Sequence, residues 1–167
     1  MRTEDTATDM IEPVTIEEVK GYLGYDQNNS RDDDLLNRLI TGQRSMLEDV
    51  MGRIIVQRGF IAHPQTDGAV RLLPDLQEVS GISYKDRDGV AHDVEEYDVD
   101  LEYSVVCFAI DEEYEEISIT YTSGFGIIPE VIKTAILDLV KAKYDRSSED
   151  VLSAVRPSIQ KYWSEHI

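Results

Sequence analysis

The sequence holds one cysteine, Cys107, and one tryptophan in 167 residues. A lone thiol cannot close an intrachain disulfide. Its setting, Val105-Val106-Cys107-Phe108-Ala109, predicts a buried strand thiol rather than a nucleophile. Histidine is nearly as scarce: His63, His92 and His166 show no zinc-ligand spacing and have no second cysteine to help them. Positive charge is in short supply, with 16 Lys and Arg against 34 Asp and Glu and a net charge of −18. Nucleic acids and anionic membrane surfaces are gripped mainly by Lys and Arg, and no basic stripe is present, so neither is expected as a bound partner. Long apolar runs are missing too. None approaches the ~20 residues of a membrane span, and Met1-Arg2-Thr3-Glu4-Asp5 begins no signal-peptide core; a soluble protein made in a cytoplasm is the expectation. There is no Walker loop, no dinucleotide fingerprint and no Gly-x-Ser-x-Gly elbow, so no cofactor and no catalysis are expected.

What the chain does have is enough apolar material, 41% of its residues, to build a core without staples. It also has an uneven distribution of acid. Residues 1–52 carry 12 acids and 5 bases, residues 53–71 carry 1 and 3, residues 72–116 carry 15 and 2, and residues 117–167 carry 6 of each. Most of the negative charge therefore falls between Leu72 and Glu116.

Residues 1–13 are polar and end at Pro13, which predicts a flexible lead. Thr15-Ile16-Glu17-Glu18 is a capping box that opens a helix running to Leu23, with Val19 and Leu23 inward and Gly24 as its stop. A second helix starts at Asp32–Asp34, where acids suit the helix dipole. Leu35, Leu36, Leu39, Ile40, Met46, Leu47, Val50 and Met51 follow at helical spacing, closed by Gly52. From 53 to 122 the pattern is β-rich, with strand-like runs at Ile54–Val56, Phe60-Ile61, Val70–Leu73, Val79–Tyr84, Tyr97–Leu101, Val105–Ile110 and Ile117–Tyr121. Asp88-Gly89 marks a hairpin turn. Pro129 fits the first position of a third helix, whose inward face is Ile132, Ala135, Ile136, Leu139, Val140 and Tyr144. A short fourth helix is expected from Ser148 to Val155, interrupted by Pro157, and Ser158–Trp163 follow as a last turn. The fold class is α+β: a small bundle of four helices with an antiparallel β-rich insert between helices 2 and 3.

Among the acids, Asp86-Arg87-Asp88-Gly89 lacks the further ligands of a calcium loop and reads as a turn. Asp98 and Asp100 share one strand face, as a metal or acid–base pair would, yet such pairs arise by chance among 34 acids. Asp32-Asp33-Asp34 reads as a charged helix start. No metal site is expected.

Three stretches, taken in order, resemble the head–tail connector (adaptor) proteins of long-tailed bacteriophages. The first is Val14-Thr15-Ile16-Glu17-Glu18-Val19-Lys20-Gly21-Tyr22-Leu23, with Asp33-Asp34-Leu35-Leu36-Asn37-Arg38-Leu39-Ile40 and Leu47-Glu48-Asp49-Val50-Met51-Gly52-Arg53. The second is Ile119-Thr120-Tyr121-Thr122-Ser123-Gly124-Phe125-Gly126, soon followed by Pro129. The third is Ile132-Lys133-Thr134-Ala135-Ile136-Leu137-Asp138-Leu139-Val140, ending in Tyr144-Asp145-Arg146-Ser147. The resemblance spans 14–163 as a single connector domain and leaves 164–167 as a tail. The acidic insert is longer than the family pattern, and the match after Ser147 is loose. It implies a non-enzymatic subunit of a ring, commonly dodecameric, beneath the portal protein at the head–tail junction of a virion, assembled in the host cytoplasm. Such a ring extends the DNA channel without binding DNA specifically, and offers a platform to the next connector or tail-completion protein.

Two surfaces follow as expectations. The acids Asp93, Glu95, Glu96, Asp98, Asp100, Glu102, Asp111, Glu112, Glu113, Glu115 and Glu116 would line the channel or the outer rim, because copies of a −18 chain assemble only if most acids stay solvated. Lys141, Lys143, Arg146, Arg156 and Lys161 would contact an acidic partner, and the aromatic anchors Tyr162 and Trp163 would either join that contact or fold onto the core. The competing reading is an acidic inhibitor that mimics DNA, which needs carboxylates spaced like phosphates along an extended face.

Overall fold

Thr15 opens the first helix as its neighbours predict. The amide of Glu18 donates to Thr15 Oγ1 at 3.2 Å, and the amide of Thr15 donates to Glu18 Oε2 at 2.7 Å, a complete capping box. The computed structural model describes residues 1–6, 10–147 and 150–163. Ser148, the expected start of the fourth helix, and the expected tail 164–167 lie outside the described residues. The chain divides into two compact units, Met1–Met10 with Gln57–Gly126, and Ile11–Val56 with Ile127–Ile167.

The second of these is helical. It comprises α1 (Ile16–Leu23), α2 (Asp33–Met51), α3 (Glu130–Tyr144) and α4 (Val151–Ile159), the last continued by a 3₁₀ turn at Gln160–Tyr162. Gly24 and Gly52 close α1 and α2 at φ 75° and 64°, the left-handed conformation in which glycine bears no Cβ penalty. The core is built from Leu36, Ile40, Leu47 and Met51 of α2, Ile132, Ala135, Ile136, Leu139 and Val140 of α3, and Val155 and Ile159 of α4. Each full-sized apolar side chain buried this way contributes about 1.5–3 kcal/mol. No helix among the described residues is long and apolar enough to cross a membrane.

Several inward positions differ from the expected stripe. Leu35 is 48% exposed, and Leu39, Met46 and Val50 are half-buried. Gln43, Arg44 and Glu48 are buried in their place. On α1, Lys20 is buried and Leu23 only half-buried, because Lys20 Nζ ion-pairs with Asp33 Oδ1 at 2.7 Å and donates to the carbonyl of Gln27. Pro157 does not interrupt α4, which continues through it to Ile159. The missing N–H leaves one helical bond unmade, and the burial of Val155 and Ile159 on either side holds the turn together. Ile54–Val56 is no regular strand. The amides of Ile55 and Val56 donate to Glu48 Oε1 at 2.8 and 3.3 Å.

The first unit is all β, with β1 (Arg2–Asp5), β2 (Arg58–His63), β3 (Gly68–Arg71), β4 (Leu76–Lys85), β5 (Ala91–Asp93), β6 (Tyr97–Asp100), β7 (Val105–Phe108) and β8 (Glu116–Ser123). They form two antiparallel sheets, ordered β1-β2-β8-β4-β5 and β3-β7-β6. β8 is central and alternates as its sequence requires. Ile117, Ile119 and Tyr121 are buried, and Tyr121 stacks on Phe60 with ring centroids 5.6 Å apart. The flexible lead expected over 1–13 is instead anchored at both ends. Arg2–Asp5 pair with Phe60–His63, Glu12 reaches Arg44 and Thr41, and Pro13 is buried. Gly59 marks where the lead passes: a Cβ there would lie 2.7 Å from Thr6 Oγ1. Polarity alone hid this strand, because an edge strand needs only one neighbour and tolerates charge.

Candidate functional site

The small sheet sets out its residues by register. Ala69, Cys107 and Asp98 are aligned across β3, β7 and β6, and Val70, Val106 and Val99 form the next row. Val70 and Val106 are buried, so the alternation turns Cys107 outward. The thiol is exposed, which corrects the expectation of a buried one; its apolar neighbours Val106 and Phe108 occupy the inner face instead. Around it lies an open groove of about 670 Å³, lined by Ala69, Glu95, Glu96, Asp98 and Cys107 among others.

All eleven acids proposed from the sequence are exposed, and they separate into two groups. Asp111, Glu112, Glu113 and Glu115 lie in the β7–β8 loop, and Glu116 opens β8. This loop is pinned by Asp67, whose carboxylate accepts from the amide of Ile110 and the hydroxyl of Tyr114. Lys85 reaches Glu116 at 2.6 Å and Arg87 reaches Glu113 at 2.9 Å, while the hydroxyl of Tyr84 donates to Glu112. The Lys85 ammonium beside Glu116 holds that carboxyl below the usual range.

Asp93, Glu95, Glu96, Asp98, Asp100 and Glu102 form the other group. Residues 93–102 contain these six acids and no base. None of the six ion-pairs with another described residue, and the two bases of 72–116 engage Glu116 and Glu113 of the other group. Beside them Val99, Leu101 and Tyr103 are 38%, 52% and 59% exposed on β6 and the β6–β7 turn. Asp100 Oδ1 caps that turn by accepting from the amide of Tyr103.

The turn between β4 and β5 is built on Asp86. Asp86 Oδ1 accepts from the amides of Asp88 and Val90, and Oδ2 meets His92 Nε2 at 2.8 Å. The His92 bond, then the Val90 amide, hold the carboxyl below its ordinary value of 3.8. A depressed carboxyl stabilises the fold fully above its unfolded value, and that contribution disappears as pH falls through the folded one. Asp86→Asn is therefore expected to lower the urea midpoint at neutral pH, and the gap from wild type should close below 3.8. A gap that stays constant across that range would remove the carboxylate from the turn's stability.

The basic and aromatic residues lie on the helical unit. Lys141, Lys143 and Arg146, at the end of α3 and just beyond, are exposed; Lys141 ion-pairs with Asp145 at 3.4 Å, whereas Lys143 and Arg146 form no ion pair among the described residues. At the end of α4, the Arg156 guanidinium lies over the Trp163 ring at 4.5 Å and Lys161 Nζ over the Tyr162 ring at 4.8 Å. Arg53 donates to the carbonyl of Tyr162 and ties this end down. Asp32 accepts from the hydroxyl of Tyr144 and Asp33 pairs with Lys20, so the triple aspartate is a structural helix start. Among the described residues no cluster of His, Cys, Asp and Glu is arranged to hold a metal.

Sequence reasoning missed one group. Arg44, 3% exposed, donates to Glu48 Oε2 at 2.7 Å and to Glu12 Oε2 at 2.8 Å. The signal was available: an Arg and a Glu four apart, set between Ile40, Leu47 and Met51 on the inward stripe.

No family model and no curated protein matches this chain. Solved structures do. A chain from the neck of an empty GTA (gene transfer agent) particle, computed with C6 symmetry, superposes with a TM-score of 0.79 at 15% identity, covering 100% of this chain and 97% of that one. A chain from the virion of a native gene transfer agent particle gives 0.74 at 14% identity, and one from the neck of a native particle computed with C12 symmetry gives 0.71 at 16%, each with the same coverage. Across its whole length, then, this chain has the α+β fold of chains from the neck and virion of gene transfer agent particles.

Proposed function

We propose that this protein is a structural, non-enzymatic subunit of the neck of a phage-like particle. Copies of it form a ring that docks under the portal, extends the DNA channel and offers a platform to a stopper or tail-completion protein. The observation that carries this reading is the full-length likeness to a neck chain at a TM-score of 0.79. The C6 and C12 symmetries with which those necks were computed favour a symmetric ring. The solvated acids of the β7–β8 loop suit a wall past which DNA phosphates slide without sticking, since like charge keeps the two surfaces apart. The cations and aromatics at the ends of α3 and α4 suit an acidic neighbour, because Arg and aromatic residues are enriched where interfaces are strongest.

Co-expression with the portal of the same particle, followed by electron microscopy, tests the assignment. A symmetric ring on the portal is the expected result. A monomer indifferent to portal overturns it. Six unpaired acids within ten residues are what the alternative, a DNA mimic, would use. Tight binding of such a monomer to a nuclease or repressor would favour that reading.

A further inference from the structure

Two surfaces of the molecule carry charges that form no ion pair among the described residues. One is the outer face of the small sheet, where Glu95, Glu96 and Asp98 edge the open groove around Cys107 with no ion pair among the described residues, next to exposed Ala69 and Ala109, while Arg71 on the same face is level with Val105 and Asp100. The other is the end of α4. Residues 151–163 contain Arg156 and Lys161 and no acid; both cations lie over aromatic rings and form no ion pair among the described residues, and the nearby carboxylate that Arg156 influences is the α4 cap Asp150. Each feature has what the other lacks, in charge and in kind: an open, acid-edged groove with small apolar side chains at its margin, and exposed cations backed by half-buried Tyr162 and Trp163. A chain that carries both kinds of surface can join head to tail with copies of itself, and head-to-tail contacts generate closed rings when the rotation closes.

We propose that the occupant of the groove is a second copy of this chain: the α4 end of one subunit, led by Arg156 and Lys161, docks against the Glu95–Glu96–Asp98 face around Cys107 of the next. The contact also accounts for how a chain of net charge −18 assembles at all. It places the least compensated acids against the cations of a neighbour and leaves the partly paired β7–β8 loop solvated. Complementary charge of this kind sets register and orientation between neighbours more than bulk affinity. The inference rests on the ring reading above and names the surfaces that make the ring.

Cys107 is the sole cysteine, so it reports on the contact directly. In the ring assembled on portal, labelling of Cys107 by a maleimide is expected to be at least tenfold slower than in the free chain. Gln160→Cys adds a second thiol between the two cations and leaves both in place; under mild oxidation it is expected to form a disulfide to Cys107 of the neighbour, giving a ladder of linked chains on a non-reducing gel. Arg156→Glu is expected to reduce ring yield at least about tenfold, as like charges face each other across the contact. Asp98→Lys in the same chain should recover part of the yield. Circular dichroism of the free variants, all at exposed positions, separates assembly from folding. A ring in which Cys107 labels at the free-chain rate overturns this contact and leaves the ring intact. So does a ring in which Cys107 is protected but the Gln160→Cys ladder is missing, since another surface then covers the groove. No ring on portal overturns the neck assignment and this inference with it.

Discussion

Glu48→Ala is expected to destabilise the protein by about 3–5 kcal/mol, the range for breaking a buried ion pair from one side. Glu48 is 7% exposed and does three jobs at once. Its Oε2 accepts from Arg44, itself 3% exposed, and its Oε1 accepts from the amides of Ile55 and Val56. Truncation leaves a buried guanidinium with only Glu12 as a carboxylate partner, and two buried amides lose the acceptor they share. Each buried group left unmatched costs on the order of 1–3 kcal/mol. Urea unfolding followed by circular dichroism measures the loss. A cost below about 1 kcal/mol would show that water or a rearranged chain satisfies these groups. The double change Arg44→Met with Glu48→Gln is the informative companion. It removes both charges and keeps an acceptor for the amides, so most of the lost stability should return.

Tyr121→Ala is expected to cost about 3–5 kcal/mol, as for other large aromatic-to-alanine changes in a core. Tyr121 is fully buried on the central strand β8, with Phe60 stacked on it from β2 and Val79 paired with it from β4. Its removal opens a cavity where two strand pairings meet, and flanking backbone in a sheet cannot collapse into the space without breaking register. The same urea titration reports it. The exposed neighbour Thr120→Ala serves as the control, expected within about 0.5 kcal/mol of wild type. Equal effects at the two positions would mean that the inward face of β8 carries none of the core.

Much of the architecture was legible because it is local. Thr15 and Glu18 specify a helix start through two short hydrogen bonds, and Gly24 and Gly52 end helices because only glycine occupies their φ without strain. The inward face of α3 was read correctly from Ile132 to Val140, since period 3.6 leaves a single stripe. What was not legible depends on partners distant in sequence. Arg2–Asp5 look like solvated tail until β2 is beside them. Pro157 looks like a stop until the packing of Val155 and Ile159 outweighs one lost bond. Cys107 looks buried in an apolar run, yet in a strand alternate residues face opposite ways, and the run alone does not say which set faces the core.

By itself the sequence determined the α+β order, four helices around a β-rich insert, and the concentration of acid between Leu72 and Glu116, because periodicity, caps and charge are properties of neighbouring residues. Only the tertiary structure decided how that acid is used. Folding brings Lys85 and Arg87 to the β7–β8 loop and leaves the acids of 93–102 without an ion pair among the described residues, because strand pairing, not sequence distance, sets which charges meet. Tertiary packing likewise turned a helical stripe that reads as apolar into one that carries a buried Arg44–Glu48 pair, since a charge can enter a core only where the fold supplies its partner.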